Sequence, residues 1–221
     1  MKKALFAIIL VLISLSLVGC GGGDSSSSPP PFVTQILSNP VYDGDISQDV
    51  TGTTVAITQA VNTQNVLAGI DPASLIEYRA FLDFPLSGAG GVPLNAVIVS
   101  ATLDIFINNI IPYPLSGTIP IRIDLVSFQP PILIGTDFDR TIQPALMTKT
   151  INPPISQTDF GQHILIDVTQ FMIEVQRLQL PDFQVRILED LGIVEPGIIE
   201  INDTTGPNAG ALAPLLQVQY Y

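Results

Sequence analysis

Three carboxylates lie close together near the start of the sequence, in the segment DGDISQD. Asp43, Asp45 and Asp49 offer hard oxygen ligands, and Gly44 permits a sharp turn between the first two. Calcium is bound by roughly six to eight such oxygens, so the turn is a candidate for a structural calcium ion. The alternative is a solvated turn, since the spacing is not that of an EF-hand loop. We expect no other cofactor.

The chain has one histidine, His163, on which any Ser-His-Asp catalysis would depend. No G-x-S-x-G string accompanies it, and a single histidine excludes ordinary histidine-rich zinc sites. We interpret His163 as a polar residue at the edge of a strand. No catalytic residue is predicted from it.

Pairs of neighbouring acidic residues are the other candidates for catalysis. They are Asp137 with Asp139, Glu189 with Asp190, and Glu200 with Asp203. Glycosidases need two carboxylates at a set separation across a cleft, and nothing in the spacing brings these residues to one cleft. Solvated loop and edge positions are therefore the favoured interpretation, and a hydrolase is the alternative.

Aromatic residues near loops are candidates for sugar binding, because sugar rings stack on flat aromatic faces. The chain has no tryptophan, which leaves Tyr42 and Tyr113 as the tyrosines nearest to loops. Tyr113 belongs to an apolar loop at residues 109–115, and a second apolar loop spans residues 130–134. If both are exposed they form a partner surface; if they fold back they extend the core.

The elements that must position these residues are mostly β-strands. Apolar and polar residues alternate over residues 97–107, 119–125, 183–187 and 216–220, which is the period of a half-buried strand. Further strands are expected around residues 41–46, 54–58, 76–84, 145–151, 163–168 and 197–202. Side chains expected in the core are those of Val99, Leu103, Ile121, Ile123, Val185, Leu216 and Val218.

One stretch predicts a helix, from Thr169 to about Arg177, with Asp167 or Thr169 as its cap. Clusters of Gly and Pro separate the strands as turns. Many short strands with one helix predict an all-β fold, an antiparallel jelly-roll-like β-sandwich with one short helix, over residues 33–221.

The amino terminus has the pattern of an export signal. Two lysines precede an apolar run that ends at Leu17-Val18-Gly19-Cys20, and this run is short for a membrane span. The last four residues resemble the lipobox of bacterial lipoprotein precursors. The resemblance implies that residues 1–19 are a signal peptide and that Cys20 becomes the lipid-bearing first residue, anchored to a membrane by several acyl chains.

Residues 20–32 combine this cysteine with the string GGGDSSSSPPP, which predicts a tether rather than a folded segment. Such a tether would hold a domain away from the membrane. Gly21, where an aspartate would favour retention at the inner membrane, indicates the outer membrane or the cell surface.

The charge of the chain excludes one class of partner. The formal net charge is -12, and loss of Lys2 and Lys3 with the signal would make it -14. A protein this acidic repels nucleic acid, so we expect no nucleic-acid partner.

Several ordered motifs resemble the DNRLRE domain, a family related to disaggregatase repeats. They are EYRAFLDFPL at residues 77–86, VPLNAVIVSATL at residues 92–103, IDVT at residues 166–169 and PLLQVQY at residues 214–220. The family is a β-sandwich of secreted and surface proteins, some of which bind polysaccharide. The string that names the family is absent here, and within the motif we expect Arg79 to bond loop carbonyls rather than a ligand.

Together these features predict a membrane-anchored, non-catalytic module of the cell envelope. Its expected role is adhesion, polysaccharide binding or assembly with other envelope proteins. The alternative is a polysaccharide hydrolase that uses a carboxylate pair.

Overall fold

The alternating segments form antiparallel β-strands, as the period-two pattern predicts. The computed structural model describes residues 29–59, 63–114, 117–128, 131–190 and 196–221, and Pro31–Tyr221 form one compact unit. Within these ranges the strands are β1 (Phe32–Leu37), β2 (Gly44–Gln48), β3 (Val55–Gln59), β4 (Asn65–Ile70), β5 (Glu77–Pro85), β6 (Ile98–Pro112), β7 (Thr118–Ile119), β8 (Ile121–Val126), β9 (Met147–Thr150), β10 (Ile155–Ser156), β11 (His163–Asp167), β12 (Asp182–Glu189), β13 (Gly197–Asn202) and β14 (Leu215–Tyr220).

The predicted helix is present as α1 (Thr169–Leu178). Asp167 secures its start, because one carboxylate oxygen accepts bonds from the Thr169 amide at 3.1 Å and the Thr169 hydroxyl at 2.6 Å. Its buried side chains are those of Phe171, Met172 and Val175. A single-turn helix, α2 (Ala209–Leu212), and two 3-10 turns (Gly135–Phe138 and Gln157–Asp159) are additional to the prediction.

Twelve strands make one continuous sheet that curls on itself. Their order is β1-β14-β6-β13-β4-β5-β12-β8-β9, with β11 beside β6, β2 beside β5 and β3 beside β2. Leu103 and Leu216 from one half of the sheet share a hydrophobic cluster with Leu82 and Val185 from the other half. The curled sheet is therefore an antiparallel sandwich around one main core, which confirms the predicted fold class.

Strand β6 connects the two halves of the sandwich. Its first part, residues 98–106, pairs with β14 and β11, and its last part, residues 107–112, pairs with β13. The register shifts between Glu200 and Ile201, where Asn108 is the extra residue of the longer strand. Such bulges bend a strand, which lets β6 pass from one half to the other.

The predicted core is correct except at one position. Leu103, Ile121, Ile123, Val185, Leu216 and Val218 are all completely buried. Val99 is 44% exposed, so its predicted burial is wrong. A second register shift explains the error: Gln219 pairs with Ser100 and Tyr220 with Ile98, so Val99 is an inserted residue. One extra residue reverses the alternation before it, and Ile98 takes the core-facing position.

The sheet face opposite the main core is covered by residues 131–143, which we call the covering segment. Its side chains Leu133 and Phe138 form a second, smaller cluster with Ile46, Phe81 and Val126. These sheet residues alternate with main-core residues, so both faces of this half-sheet are buried.

Two arginines of the sheet bond the backbone of the covering segment. Arg79 donates to the carbonyl of Phe138 and lies 3.8 Å from the centre of its ring, which confirms the structural role predicted for it. The completely buried Arg186 donates from Nη1 to the carbonyl oxygens of Asp137 and Gln143, each at 3.1 Å.

The predicted signal peptide, Cys20 and residues 20–28 of the predicted tether lie outside the described residues. Strand β1 begins at Phe32, directly after the prolines of the tether. Among the described residues, no helix combines the length and the apolar character needed to cross a bilayer.

Candidate functional site

A groove of about 510 Å³ opens where β4 separates from β5, beside β2. The two backbone pairings between β4 and β5 are Gly69 with Tyr78 and Ile70 with Glu77. Beyond that point the amide of Leu67 donates to a side chain, Asp45 Oδ2, at 3.2 Å. The residues that line this polar groove are Asp45, Ser47, Thr58, Gln64, Asn65, Leu67, Tyr78 and Glu200.

A network of amides and one carboxylate borders the groove. Asn65 Nδ2 and Asn109 Nδ2 donate to the two oxygens of Glu200 at 3.4 and 3.1 Å. Asn108 Nδ2 donates to Asn65 Oδ1 and, through its own oxygen, accepts from Asn202 Nδ2 at 3.0 Å. These bonds fix the orientation of Glu200 and Asn65, so the groove presents ordered donors and acceptors.

The groove holds two carboxylates in different environments. Asp45 is only 4% exposed, and burial raises its pKa to about 6. Glu200 stands directly opposite Leu67 across the β4–β13 pair, and Leu67 is the residue whose amide bonds Asp45. The carboxyl groups of Asp45 and Glu200, which have different environments, therefore belong to the two neighbours of Leu67.

Tyr78 supplies the aromatic ring of the groove. Tyr78 lies on the same side of β5 as Ala80, Leu82 and Phe84, which are fully buried. Tyr78 itself, near the start of the strand, is half-buried. Burial also raises the pKa of its hydroxyl, so the phenol is a neutral donor and acceptor. A partly exposed ring with a polar tip suits a ligand with both apolar and polar surfaces.

The three carboxylates of the predicted calcium turn enter three different networks. Asp43 Oδ1 accepts from the amide of Asp83 at 2.7 Å, and Asp45 faces the groove. Asp49 Oδ1 accepts from the Thr54 amide at 3.3 Å, the Thr51 hydroxyl at 3.0 Å and the Thr53 amide at 3.0 Å, and these bonds lower its pKa to about 2. Within the described residues, no group of three acidic or histidine side chains has the arrangement of a metal site.

The two tyrosines predicted as sugar contacts lie outside this groove. Tyr42 is half-buried, and its carbonyl accepts from Gln59 Nε2 at 2.8 Å. Tyr113 is 64% exposed at the end of β6, and its amide donates to the carbonyl of Pro196 at 2.9 Å. Neither is a lining residue of the polar groove.

The two members of each predicted acid pair lie in different surroundings. Asp137 Oδ2 accepts from the Ile134 amide at 2.8 Å, whereas Asp139 accepts from Thr141. Glu189 is buried, and Asp190 accepts from the Thr150 hydroxyl at 2.7 Å. Glu200 lines the polar groove, whereas Asp203 is buried beside Asp43.

His163 lies on β11, which pairs with β6 along one side. Its Nδ1 is 2.9 Å from Asp104 Oδ1, and its ring meets that of Phe106 edge to face. The residue is exposed on its strand, as the sequence predicted.

The two apolar loops are each partly buried. Leu133 packs inward while Ile132 and Ile134 are exposed. In the other loop Ile110 is buried in β6, and Tyr113 is exposed. In each loop, therefore, the buried residues extend the core and the exposed residues are available as a partner surface.

One feature of the sequence, asparagine within strands, could have indicated the side-chain network beside the polar groove. Asn is depleted in β-strands, yet Asn65, Asn108, Asn109 and Asn202 all lie in strands. Asparagines that interrupt alternating segments indicate a side-chain network rather than loops.

No model of a known protein family matches this chain, and no characterised protein is significantly similar to it. The DNRLRE resemblance remains a prediction based on the motifs at residues 77–103, 166–169 and 214–220.

Proposed function

We propose that this protein is a lipid-anchored, non-catalytic module of the cell envelope that binds a polysaccharide in the polar groove. The observation that carries the proposal is the groove itself, with Tyr78 beside the ordered polar groups of Asn65 and Glu200. Binding sites are concave and combine apolar surface with a few well-placed polar groups.

The chemistry of the lining suits sugars. A saccharide hydroxyl both donates and accepts hydrogen bonds, so amide and carboxylate groups can each pair with it. The ring of Tyr78 supplies a surface for the C–H face of a sugar. Asn65 and Glu200 are already held by their neighbours, so little side-chain entropy is lost when a ligand binds.

The charge of the groove selects among polysaccharides. Asp45 and Glu200 line it, and the formal net charge of the whole chain is -12. An anionic chain such as a polyuronate would be repelled by this field. The favoured ligand class is therefore a neutral polysaccharide.

The membrane anchor is a separate part of the proposal. It rests on Cys20, which closes a lipobox-like string, and on the tether at residues 20–32. A lipid-anchored domain on a flexible tether can reach a polymer that lies outside the membrane.

One observation favours the second candidate, a polysaccharide hydrolase. The raised pKa of Asp45, about 6, would let this carboxyl act as a general acid in mildly acidic solution, with Glu200 in the same groove as base or nucleophile. This pair replaces the sequence pairs as the chemical basis for hydrolysis.

A glycan array combined with a hydrolysis screen distinguishes the two candidates. The proposal predicts binding without turnover, and loss of one charged hydrogen-bond partner in Glu200→Gln should weaken binding about tenfold. Asp139→Asn, which alters an acid of the covering segment outside the groove, should bind like the wild type. Turnover that disappears in Asp45→Asn or Glu200→Gln would establish the hydrolase instead.

A further inference from the structure

Asp43 and Asp203 form a carboxylate pair that is shut off from solvent. Their exposures are 0% and 1%. Asp43 immediately precedes β2, and Asp203 immediately follows β13, so the pair joins two segments far apart in sequence. Burial raises the pKa of Asp43 well above its usual range, and the charge of the neighbouring Asp203 raises it further.

Two oxygen atoms at this pair make no hydrogen bond of ordinary geometry within the described part of the chain, although the Ser38 hydroxyl and the Asp203 carboxyl both lie near the Asp43 carboxylate. The two atoms are Asp43 Oδ2 and the hydroxyl oxygen of Ser38, and both are buried. Ser38 is only 6% exposed and lies beside the Asp43 carboxylate. Buried polar atoms without partners are uncommon and call for a ligand or a specific strain.

The basic side chains of the described residues are engaged elsewhere. Their carboxylate partners are Glu77 for Arg79, Asp124 for Arg122, Arg140 and Arg186, Glu174 for Arg177, and Asp167 for Lys149. None of these carboxylates belongs to the Asp43–Asp203 pair. Two buried acids without a basic neighbour must be neutralised, either by retained protons or by another source of positive charge such as a cation.

We propose that Asp43, Asp203 and Ser38 bind a calcium ion. The oxygen atoms of two carboxylates and a hydroxyl are hard ligands of the kind that calcium prefers, and backbone carbonyls or water can complete its shell. The site differs from the turn expected from the sequence, because it takes Asp43 from that turn and recruits Asp203 in place of Asp45 and Asp49.

The ion would tie together two segments at the end of the polar groove. The amide of Asp203 donates to the carbonyl of Gln64 at 2.8 Å, and Gln64 lines the groove. The Asp83 amide holds Asp43 from the other side. Calcium is thus a structural ligand here, and this proposal stands independently of what the groove binds.

The test uses the full chain purified in detergent and stripped with a chelator. We expect one calcium per chain by elemental analysis after dialysis against calcium and removal of the excess. At a calcium concentration about a hundredfold above the Kd, the unfolding temperature at pH 7 should rise by about 5–10 °C.

Two matched substitutions locate the ion. Asp203→Asn should abolish both the bound calcium and the rise in unfolding temperature. In chelator it should unfold no earlier than the wild type, because it removes one of two repelling charges. Asp49→Asn should keep both effects.

Wild-type protein that holds no calcium and does not change its unfolding temperature would overturn the proposal. So would an Asp203→Asn variant that still holds one calcium, or an Asp49→Asn variant that loses it. The wild-type stoichiometry decides the matter even if a variant fails to fold.

Discussion

Buried aspartates are the chemically unusual residues of this protein. Asp43, Asp45, Asp83 and Asp203 are each at most 4% exposed. Burial raises the pKa of all four, and to about 6 for Asp45, Asp83 and Asp203. Buried acids are normally paired with a basic group, and these are held instead by amides, hydroxyls and one another.

The stability of the calcium-free protein should therefore fall as pH rises from about 4 to 6. In this window the folded chain keeps protons that the unfolded chain, with aspartate pKa values near 3.9, has already released. The stabilisation is complete below pH 4 and is lost as pH passes the folded pKa values. Urea unfolding in chelator should give a lower free energy of unfolding at pH 7 than at pH 5.

Exposed aspartates affect the free energy of unfolding in the opposite direction, because their stabilising contribution is lost as pH falls. They do so in a lower pH range than the buried aspartates. Asp49 and Asp139 have lowered pKa values because hydroxyls and amides bond them, so their contribution changes below pH 4. A free energy of unfolding that rises from pH 5 to pH 7 in chelator would contradict the account of the buried acids.

Residue roles were predictable from sequence where they depend on local spacing. The structural role of Arg79 was expected from its place within the strand motif at residues 77–86, and it is confirmed. The Asp43–Asp203 pair was not predictable, because the contact arises from the pairing of distant strands. The Asn65–Glu200 contact has the same origin.

At the scale of elements, alternation located most strands but not their partners. Strands β1 and β4 and the two-residue strand β10 were missed. Gly69 interrupts β4 with a φ of +115°, and β1 directly follows a proline-rich tether. Alternation also cannot reveal a bulge, which is why Val99 was assigned to the wrong face.

The covering segment depends on a buried arginine for its attachment. Arg186 is 0% exposed, donates 2.8 Å to Asp124 Oδ2, and bonds two carbonyls of the segment. Arg186→Met should lower the free energy of unfolding by about 2–4 kcal/mol, because two buried carbonyl oxygens lose their donor, whereas Asp124 keeps Arg122 and Arg140 as partners. Chemical denaturation at neutral pH measures the change.

Arg177 provides the matched control, because its ion pair with Glu174 lies on the exposed surface of α1. Arg177→Met should change the free energy of unfolding by less than about 1 kcal/mol. Equal effects of the two substitutions would contradict the role given to Arg186.

At the scale of the whole molecule, the sequence predicts an anchor and the fold provides the domain that it carries. Residues 1–19 and Cys20 are expected to be processed as a lipoprotein signal. Mass spectrometry of the protein isolated from membranes should find Cys20 as the first residue, modified by diacylglycerol. Cys20→Ser should remain uncleaved or become soluble, because no other side chain can replace the sulfur as the lipid acceptor.

A start at any other residue, or an unmodified Cys20, would remove the anchor from the account. The β-sandwich and its groove would stand unchanged, since neither includes residues before Pro29.

The central claim is that a polysaccharide binds in the polar groove, and a comparison of two tyrosines tests it most directly. A saccharide identified on the array is titrated against the wild type, Tyr78→Ala and Tyr113→Ala by calorimetry. Tyr78 lines the groove and Tyr113 lies outside it. We predict that Tyr78→Ala weakens binding about tenfold, and that Tyr113→Ala retains the wild-type Kd. Unchanged binding by a folded Tyr78→Ala variant, with loss in Tyr113→Ala, would contradict the account.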